Sequence, residues 1–471
     1  MNQYDIAVVG SGMGGSLISA LNKDKDLILF EKESNLGGCA STFKRKGHYY
    51  NAGATTFVGY EENHPIKKIL DKINYIPDIT KSEVAIRVIQ NNKIIDRIKD
   101  FDRFIENINE VYPHKNNRKF WNTIKTLDEK FWSLKNLYYA KYSLPSYMKT
   151  ANAILEIFSV FKFDILKSAD SFINEILYDI SSEYKAFIDA QLLITIQTTS
   201  KDVSLISLAI GLSYPFHDVF YVNNGMGSLF EGILKDINTH RKEEILKIYK
   251  EKDLYRVVSN KDEYLSKKII LNSSIYNTSV LFDDQKIKKY YDSFSFSDQS
   301  AFVINLTLDS KEEFLHHYQI ILNKNIPNTI SNSFFISFSS MKDNLLSKNG
   351  YSITISTHTK ATLWKDISKD EYKKQKEITQ NFIINKFLEN FKIIEKKDII
   401  DIHSATATTF KKYINRYNCG GKAITIKNIF QTPSCTTPFK GLYNIGDTVF
   451  AGQGWPGVAL GVNILDKELN G

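Results

Sequence analysis

The sequence predicts an α/β protein whose parallel-sheet nucleotide-binding domain is discontinuous, with an α+β domain inserted between its pieces. Three observations predict it. A glycine-rich turn follows the first apolar run, Ile6–Val9. A second apolar run, Leu27–Phe30, ends on the acid Glu31. At the far end of the chain, a third short run leads through Gly446-Asp447 and another glycine-rich turn into a final helix.

Ile6–Val9 has the length and composition of a buried parallel strand. Gly10-Ser11-Gly12-Met13-Gly14-Gly15 fits G-x-G-x-x-G, and Ser16–Asn22 reads as the helix that follows. Each glycine has a physical task. Gly10 permits the tight turn, Gly12 lets backbone approach a pyrophosphate, and Gly15 lets the helix pack close to the strand. The helix N-terminus offers free N–H groups and a partial positive charge to phosphate. Glu31 lies about 20 residues beyond the turn, where a carboxylate meets a ribose hydroxyl.

A dinucleotide is therefore expected, and two further stretches separate FAD from NAD. Gly37-Gly38 follows the ribose-binding acid closely, ahead of Cys39, Ala40 and Ser41, and is a second place for close backbone approach. Flavoproteins of the glutathione-reductase type use such a pair. At the C-terminal end, the strand Gly441–Ile445, the pair Gly446-Asp447 and the turn Gly452-Gln453-Gly454-Trp455-Pro456-Gly457-Val458 form a second helix N-terminus suited to an anion. In flavoproteins of this type the Asp meets the ribityl chain and the turn faces the flavin ring. The cofactor predicted is non-covalent FAD. The predicted fold is a discontinuous Rossmann-like FAD-binding domain of the glutathione-reductase type with an inserted α+β substrate domain.

The bulk properties exclude other classes. The chain has 471 residues, 42% hydrophobic and 24% charged, with 30 Phe and 26 Tyr, which suits large buried surfaces. The net charge of +8 comes from lysines scattered among acids, as in Lys369-Asp370-Glu371, and no arginine-rich arm is present. No nucleic-acid partner is expected. Cys39, Cys419 and Cys435 form no C-x-x-C pair, and the nine His are dispersed, so neither disulfides nor a metal site are expected. His316-His317 reads as the surface of a polar helical stretch. No basic region precedes Ile6, and no run approaches about 18 apolar residues. These features predict a cytoplasmic protein with room for peripheral membrane contact.

Four blocks carry a resemblance to the phytoene desaturase and carotenoid isomerase family of FAD enzymes: Val9–Thr42, Gly47–Tyr60, Tyr221–Leu229, and Ala405 through Asn418-Cys419-Gly420-Gly421 to Leu460. Together they span about a quarter of the chain. Gly-Asp followed by Gly-Gln-Gly-Trp-Pro-Gly-Val is the most specific. Asn51 departs from the Asp often found in the family. The stretch from Ile245 to Asn272 is short for the family, and Ile245 is placed at the adenine. Residues 67–220 show little similarity, so the substrate is not legible there.

The resemblance implies an FAD-dependent oxidoreductase acting on an apolar polyene or isoprenoid, by hydride transfer between a substrate carbon and flavin N5. Flavin-dependent cis-trans isomerisation, saturation of a double bond and amine-oxidase-like chemistry stay open, as does a lipid-binding protein with a vestigial cofactor fold. Intact Gly10, Gly12, Gly15, Glu31 and Asp447 argue against the last. The expected cofactor contacts are Gly10–Gly15, Glu31, Lys32, Gly37–Ser41, Ile245, Gly446, Asp447, Gly454, Gly457 and Val458. Thr55, Thr56, Gln453 and Trp455 are the candidates for the flavin face. No general acid, general base or electron acceptor is assigned.

The FAD-binding domain is expected over residues 1–70, 222–300 and 400–471, and the substrate domain over 71–221 and 301–399. Helical periodicity runs through Phe101, Phe104, Ile105 and Ile108 and through Phe120–Leu134. Alternation marks strands at Ala301–Leu308 and Tyr351–Thr357. The apolar stretch Ile154–Ile165 reads as helix core, with a channel wall or a membrane-dipping face as the functional alternative.

Overall fold

The computed structural model describes residues 1–470 apart from 349, 423–427, 429 and 430. Part of the fourth resemblance block therefore lies outside the described residues.

The first sheet gathers chain from three separate stretches. Its order is Thr239–Arg241, Leu27–Glu31, Asn2–Val9, Glu263–Leu271, Leu254–Ser259 and Ile245–Glu251, with Leu442–Asn444 also pairing with Glu263–Leu271. The pairs among Thr239–Arg241, Leu27–Glu31, Asn2–Val9, Glu263–Leu271 and Leu442–Asn444 are parallel. The 245–271 meander is antiparallel.

Alternation of side chains gives this sheet two cores. Ile6, Val8, Leu27, Leu29 and Ile270 face the helices Met13–Leu21 and Gly454–Asn470. Ala7, Ile28, Phe30, Ile269 and Leu271 face a layer that includes Ile275, Phe282, Ile287 and Tyr291. Both faces are covered, which is why these runs are apolar at every position.

The second sheet runs Ile399–Ala405, Gln299–Leu308, Tyr351–Lys360, Ser333–Phe338, His317–Ile321, Val84–Gln90 and Lys93–Ile98. Every pair is antiparallel except His317–Ile321 with Val84–Gln90. A helical layer over residues 101–213 packs on one end of it. The expected helices appear as Phe101–Val111 and Asn117–Trp132.

Two expectations are overturned. His316-His317 is not helical surface: His317 opens a fully buried strand. The polar residues that disguise it are used inside, where Gln319 donates to Ala190 O at 3.0 Å and to Ser333 Oγ at 3.1 Å. Nor is Ile154–Ile165 a core helix. It ends the helix Leu144–Phe161 and runs into the turn Lys162–Leu166, with Leu155 68% and Phe163 86% exposed.

Candidate functional site: a cofactor cradle opening into an apolar chamber

The turn after the first strand has the geometry its glycines predict. Gly10 holds φ +99°, and a Cβ on Gly15 would stand 2.0 Å from Gly10 O. Asn272, at the end of Glu263–Leu271, donates from Nδ2 to Gly10 O at 3.1 Å. Its amide also sits 2.8–2.9 Å from where side chains on Gly12, Gly14 and Gly446 would begin. Asn272 thus wedges the N-terminal and C-terminal turns together, and the sequence reading did not single it out. An Asn at a strand end has many ordinary explanations.

Glu31 is buried beside the turn. Its Oε2 accepts from the Ser11 N–H at 2.9 Å and the Ser11 hydroxyl at 2.6 Å, and its Oε1 accepts from the Glu33 N–H at 2.9 Å. A carboxylate oxygen has two lone pairs, so Oε1 keeps one for a ribose hydroxyl. Gly37 and Gly38 take φ of +101° and +57°, and a Cβ on Gly38 would meet Gly12 Cα at 3.4 Å. Lys32 reaches across to donate to Lys412 O at 3.1 Å. Ala40 and Ser41 close the short helical turn Gly38–Ala40. Ile245 is buried at the sheet edge and lines the same cavity as Glu243 and Glu244.

At the C-terminal turn, Asp447 is gripped by Arg416 through Nη1 at 2.6 Å and Nη2 at 2.8 Å, and accepts from the Gly420 N–H at 3.2 Å. Burial alone would raise the Asp447 pKa, but the guanidinium and these hydrogen bonds hold it below the ordinary value. Arg416 Nη2 also donates to Cys39 Sγ at 2.9 Å. One Asp447 Oδ1 lone pair remains for a hydroxyl. Arg416 was also missed. It lies in the fourth block, but nothing local marks its partner 31 residues away.

The flavin-face candidates converge on the wall between the two sheets. Thr55 Oγ1 pairs with Ser337 Oγ at 2.6 Å. Thr56 Oγ1 lies 3.2 Å from His317 Nε2, and His317 Nδ1 lies 3.2 Å from Ala85 O. The ring also meets the Thr55 backbone, so the two ring nitrogens are held between the Thr56 hydroxyl and the backbone of Thr55 and Ala85. Burial, with His316 adding to it, pushes the His317 pKa down to about 3, so the imidazole is neutral. Trp455 donates from Nε1 to Thr56 O at 3.0 Å and packs between Phe57 and Phe230, at 4.8 and 5.9 Å between ring centres. Gln453 Oε1 is buried with no hydrogen-bond partner among the described residues. Gly454 and Gly457 shape the turn, and Val458 is buried in the helix behind it.

These residues line one cavity of about 1680 Å³. It runs from Gly10–Gly14 past Thr56 and Gln453 to an apolar end at Ile157, Phe161, Ile165, Ile206 and Ile210. The residues present fit FAD: a cradle that a Cβ would fill, spare carboxylate lone pairs at two sugar-like positions, and an orphaned amide oxygen at the ring end. The fold and this site define the class, an FAD-dependent oxidoreductase with a split dinucleotide-binding domain.

Comparison with known proteins agrees. A family profile described as a NAD(P)-binding Rossmann-like domain matches residues 8–73. A chloroplastic prolycopene isomerase 2 of an Oncidium hybrid cultivar is 23% identical over 97% of this chain and 82% of that relative. A solved oxidoreductase from Methanosarcina mazei has TM-score 0.66 at 17% identity, over 98% of this chain and all of that one. A fatty acid isomerase from P. acnes, described as producing CLA, has TM-score 0.58 at 12% identity, over 99% and 97% of the two chains. By sequence the chain is similar to a prolycopene isomerase over most of its length and to Rossmann-like NAD(P)-binding domains near its N-terminal end.

Proposed function

We propose that this enzyme acts on a long apolar polyene or isoprenoid laid against the flavin, and that cis-trans isomerisation is its reaction, with desaturation the second reading. The observation that carries the proposal is the continuity of the cavity. Its volume of about 1680 Å³ exceeds the ~300–1,000 Å³ of an ordinary ligand site, which leaves room for the cofactor and a long substrate end to end. Isomerisation is preferred because the relative matched over most of both chains is a prolycopene isomerase. Desaturation by hydride transfer uses the same site.

In this reading the turn at Gly10–Gly15 and the helix behind it take the pyrophosphate, Glu31 a ribose, Ile245 the adenine and Asp447 the ribityl chain. Bound FAD supplies two-electron chemistry at one face of a flat ring. The chain supplies position and dryness. Ile157, Phe161, Ile206 and Ile210 exclude water along the substrate, and the hydrogen bond to His317 holds the Thr56 hydroxyl in one orientation.

The test is to give the FAD-loaded protein a poly-cis carotene and a partly saturated precursor, with the flavin oxidised or chemically reduced, and to separate the products. A product of unchanged mass and altered geometry supports isomerisation. Loss of two hydrogens supports desaturation. No conversion of either polyene in either redox state overturns the reading.

The helix Leu144–Phe161 adds a proposal about access. Ile157 and Phe161 line the cavity, while Leu144, Met148, Leu155 and Phe158 are exposed on the same helix and Phe163 follows on the next turn. Lys149 and Lys162 lie among them. An apolar face edged by lysine suits the surface of an anionic bilayer. No helix among the described residues is long and apolar enough to cross a membrane. Binding to vesicles of phosphatidylcholine and phosphatidylglycerol should fall at least about 10-fold in Leu155→Ser/Phe158→Ser/Phe163→Ser, since each side chain contributes roughly 1.5–3 kcal/mol when buried. Unchanged binding would remove this face from the proposal.

A further inference from the structure

The cavity has a second, polar arm away from the apolar end. One wall is the strand Ile399–Ala405, whose alternation sets Asp401 and His403 on the same side, toward the hairpin strands Thr42–Arg45 and His48–Asn51. The His403 side chain is 9% exposed, and neither ring nitrogen has a hydrogen-bond partner among the described residues. Asp401 Oδ2 is 3.7 Å from His403 Nδ1, beyond hydrogen-bond reach, and the Asp401 carboxylate is engaged by Lys46 at 2.9 Å and the Tyr50 hydroxyl at 3.3 Å. Phe43 and Tyr50 hold the imidazole edge-on at 5.8 and 4.9 Å between ring centres. Both nitrogens are sealed from the cavity, so the ring forms part of its wall and leaves polar contacts to the cations beside it.

The surrounding charge says what kind of group the arm suits. Lys44, Arg45 and Lys376 line the cavity with His403. None of the three has a carboxylate within ion-pair distance among the described residues. Burial first, then Arg45, Lys376 and Lys46 acting against Asp401, push the His403 pKa down to about 4. The arm therefore carries unpaired positive charge beside a neutral imidazole. The far end of the same cavity is aliphatic.

We infer that this arm is a carboxylate subsite, so that the substrate is a long apolar chain bearing one acidic head group. The inference rests on the reading of the cavity as a substrate chamber. A carboxylate lying there would accept from the forked Arg45 guanidinium, with Lys376 adding charge. A phosphate of the cofactor has the same chemistry and is the other source of an anion, although the turn at Gly12 already offers phosphate a helix N-terminus.

The test uses the full FAD-loaded chain and two probes, parinaric acid, a conjugated C18 tetraenoic acid, and its methyl ester. Binding is followed by the absorbance and fluorescence of the polyene. The wild type should bind the acid at least about 10-fold more tightly than the ester, roughly 1.4 kcal/mol. Arg45→Gln/Lys376→Gln should lose that preference and keep both its ester affinity and its bound flavin. Equal binding of acid and ester by the wild type, or a preference that survives in the double variant, overturns the subsite while leaving the apolar chamber standing. Flavin lost from the double variant assigns these cations to the cofactor phosphates and also overturns it. Failure to bind either probe sinks the chamber reading together with the subsite.

Discussion

Gly15 stands in the turn beside the cavity-lining Gly14, Gly211 lines the cavity from a helix, and an added methyl group has opposite consequences at the two. At Gly15 it would stand 2.0 Å from Gly10 O, a backbone atom held by the turn. At Gly211, in the helix Leu205–Ser213, it would meet Leu192 Cδ2 at 2.9 Å and Thr195 Oγ1 at 3.1 Å, the free ends of side chains. Backbone cannot yield without undoing the turn, whereas rotamers can. The cofactor side is thus built to tolerances of a few tenths of an ångström. The proposed substrate side is built from side chains that can repack, as the proposed long flexible substrate would require.

Four measurements would break or sharpen that contrast. The largest effect is expected at Arg416. Arg416→Leu leaves the Asp447 carboxylate facing the cavity without its cation, and unpairing such a buried charge costs about 3 kcal/mol, toward the lower end because Asp447 keeps some access to the cavity. A urea midpoint close to the wild type would show that the pair is dispensable. Next, Gly15→Ala should lower the bound flavin at least about 10-fold, or roughly 1.4 kcal/mol, with the fold retained by circular dichroism. Full flavin loading in that variant would contradict the rigidity assigned to the turn.

The third effect is a pH dependence centred on the second sheet and its neighbours. Burial drives the pKa of His64 and His317 to about 3, and that of His358 and His403 to about 4. Unfolded histidines take up protons near pH 6.5, so below that the unfolded chain binds more protons than the folded one. Stability is full above about pH 6.5 and falls as pH drops toward 4. Urea midpoints at pH 7.5, 6 and 5 that do not decline would show that these rings are not buried neutral. The smallest effect is Gly211→Ala, where an overpacking cost of about 1–3 kcal/mol is offset by roughly 1 kcal/mol of helix propensity, leaving a net change of about 0–2 kcal/mol and unchanged flavin content. A loss matching that of Gly15→Ala would erase the distinction between the two walls.

The legibility of the sequence follows the same division. Gly10–Gly15, Glu31, Gly37-Gly38 and Gly446-Asp447 were readable because each answers a constraint imposed within a few residues: a positive φ, a helix start, a strand end. His317 was misread because Lys311–Gln319 is polar, and nothing in that stretch announces that Gln191 and Ala190 wait to receive Gln319. The helix at Leu144–Phe161 was misread for the opposite reason. An apolar run looks the same whether it faces core or solvent, and only its neighbours decide.

By itself, then, the sequence determined the α/β class, the two turns, the acids beside them and the expectation of FAD, because these depend on local backbone geometry and short spacings. Only the tertiary structure decided that Asn272 ties the two turns together, that Arg416 closes on Asp447 and Cys39, that Thr56 rests on a neutral His317, and that His403 faces unpaired cations in a shared cavity. Those arrangements join residues tens to hundreds of positions apart, and such long-range pairings are set by packing of the whole chain rather than by any pattern within a window of it.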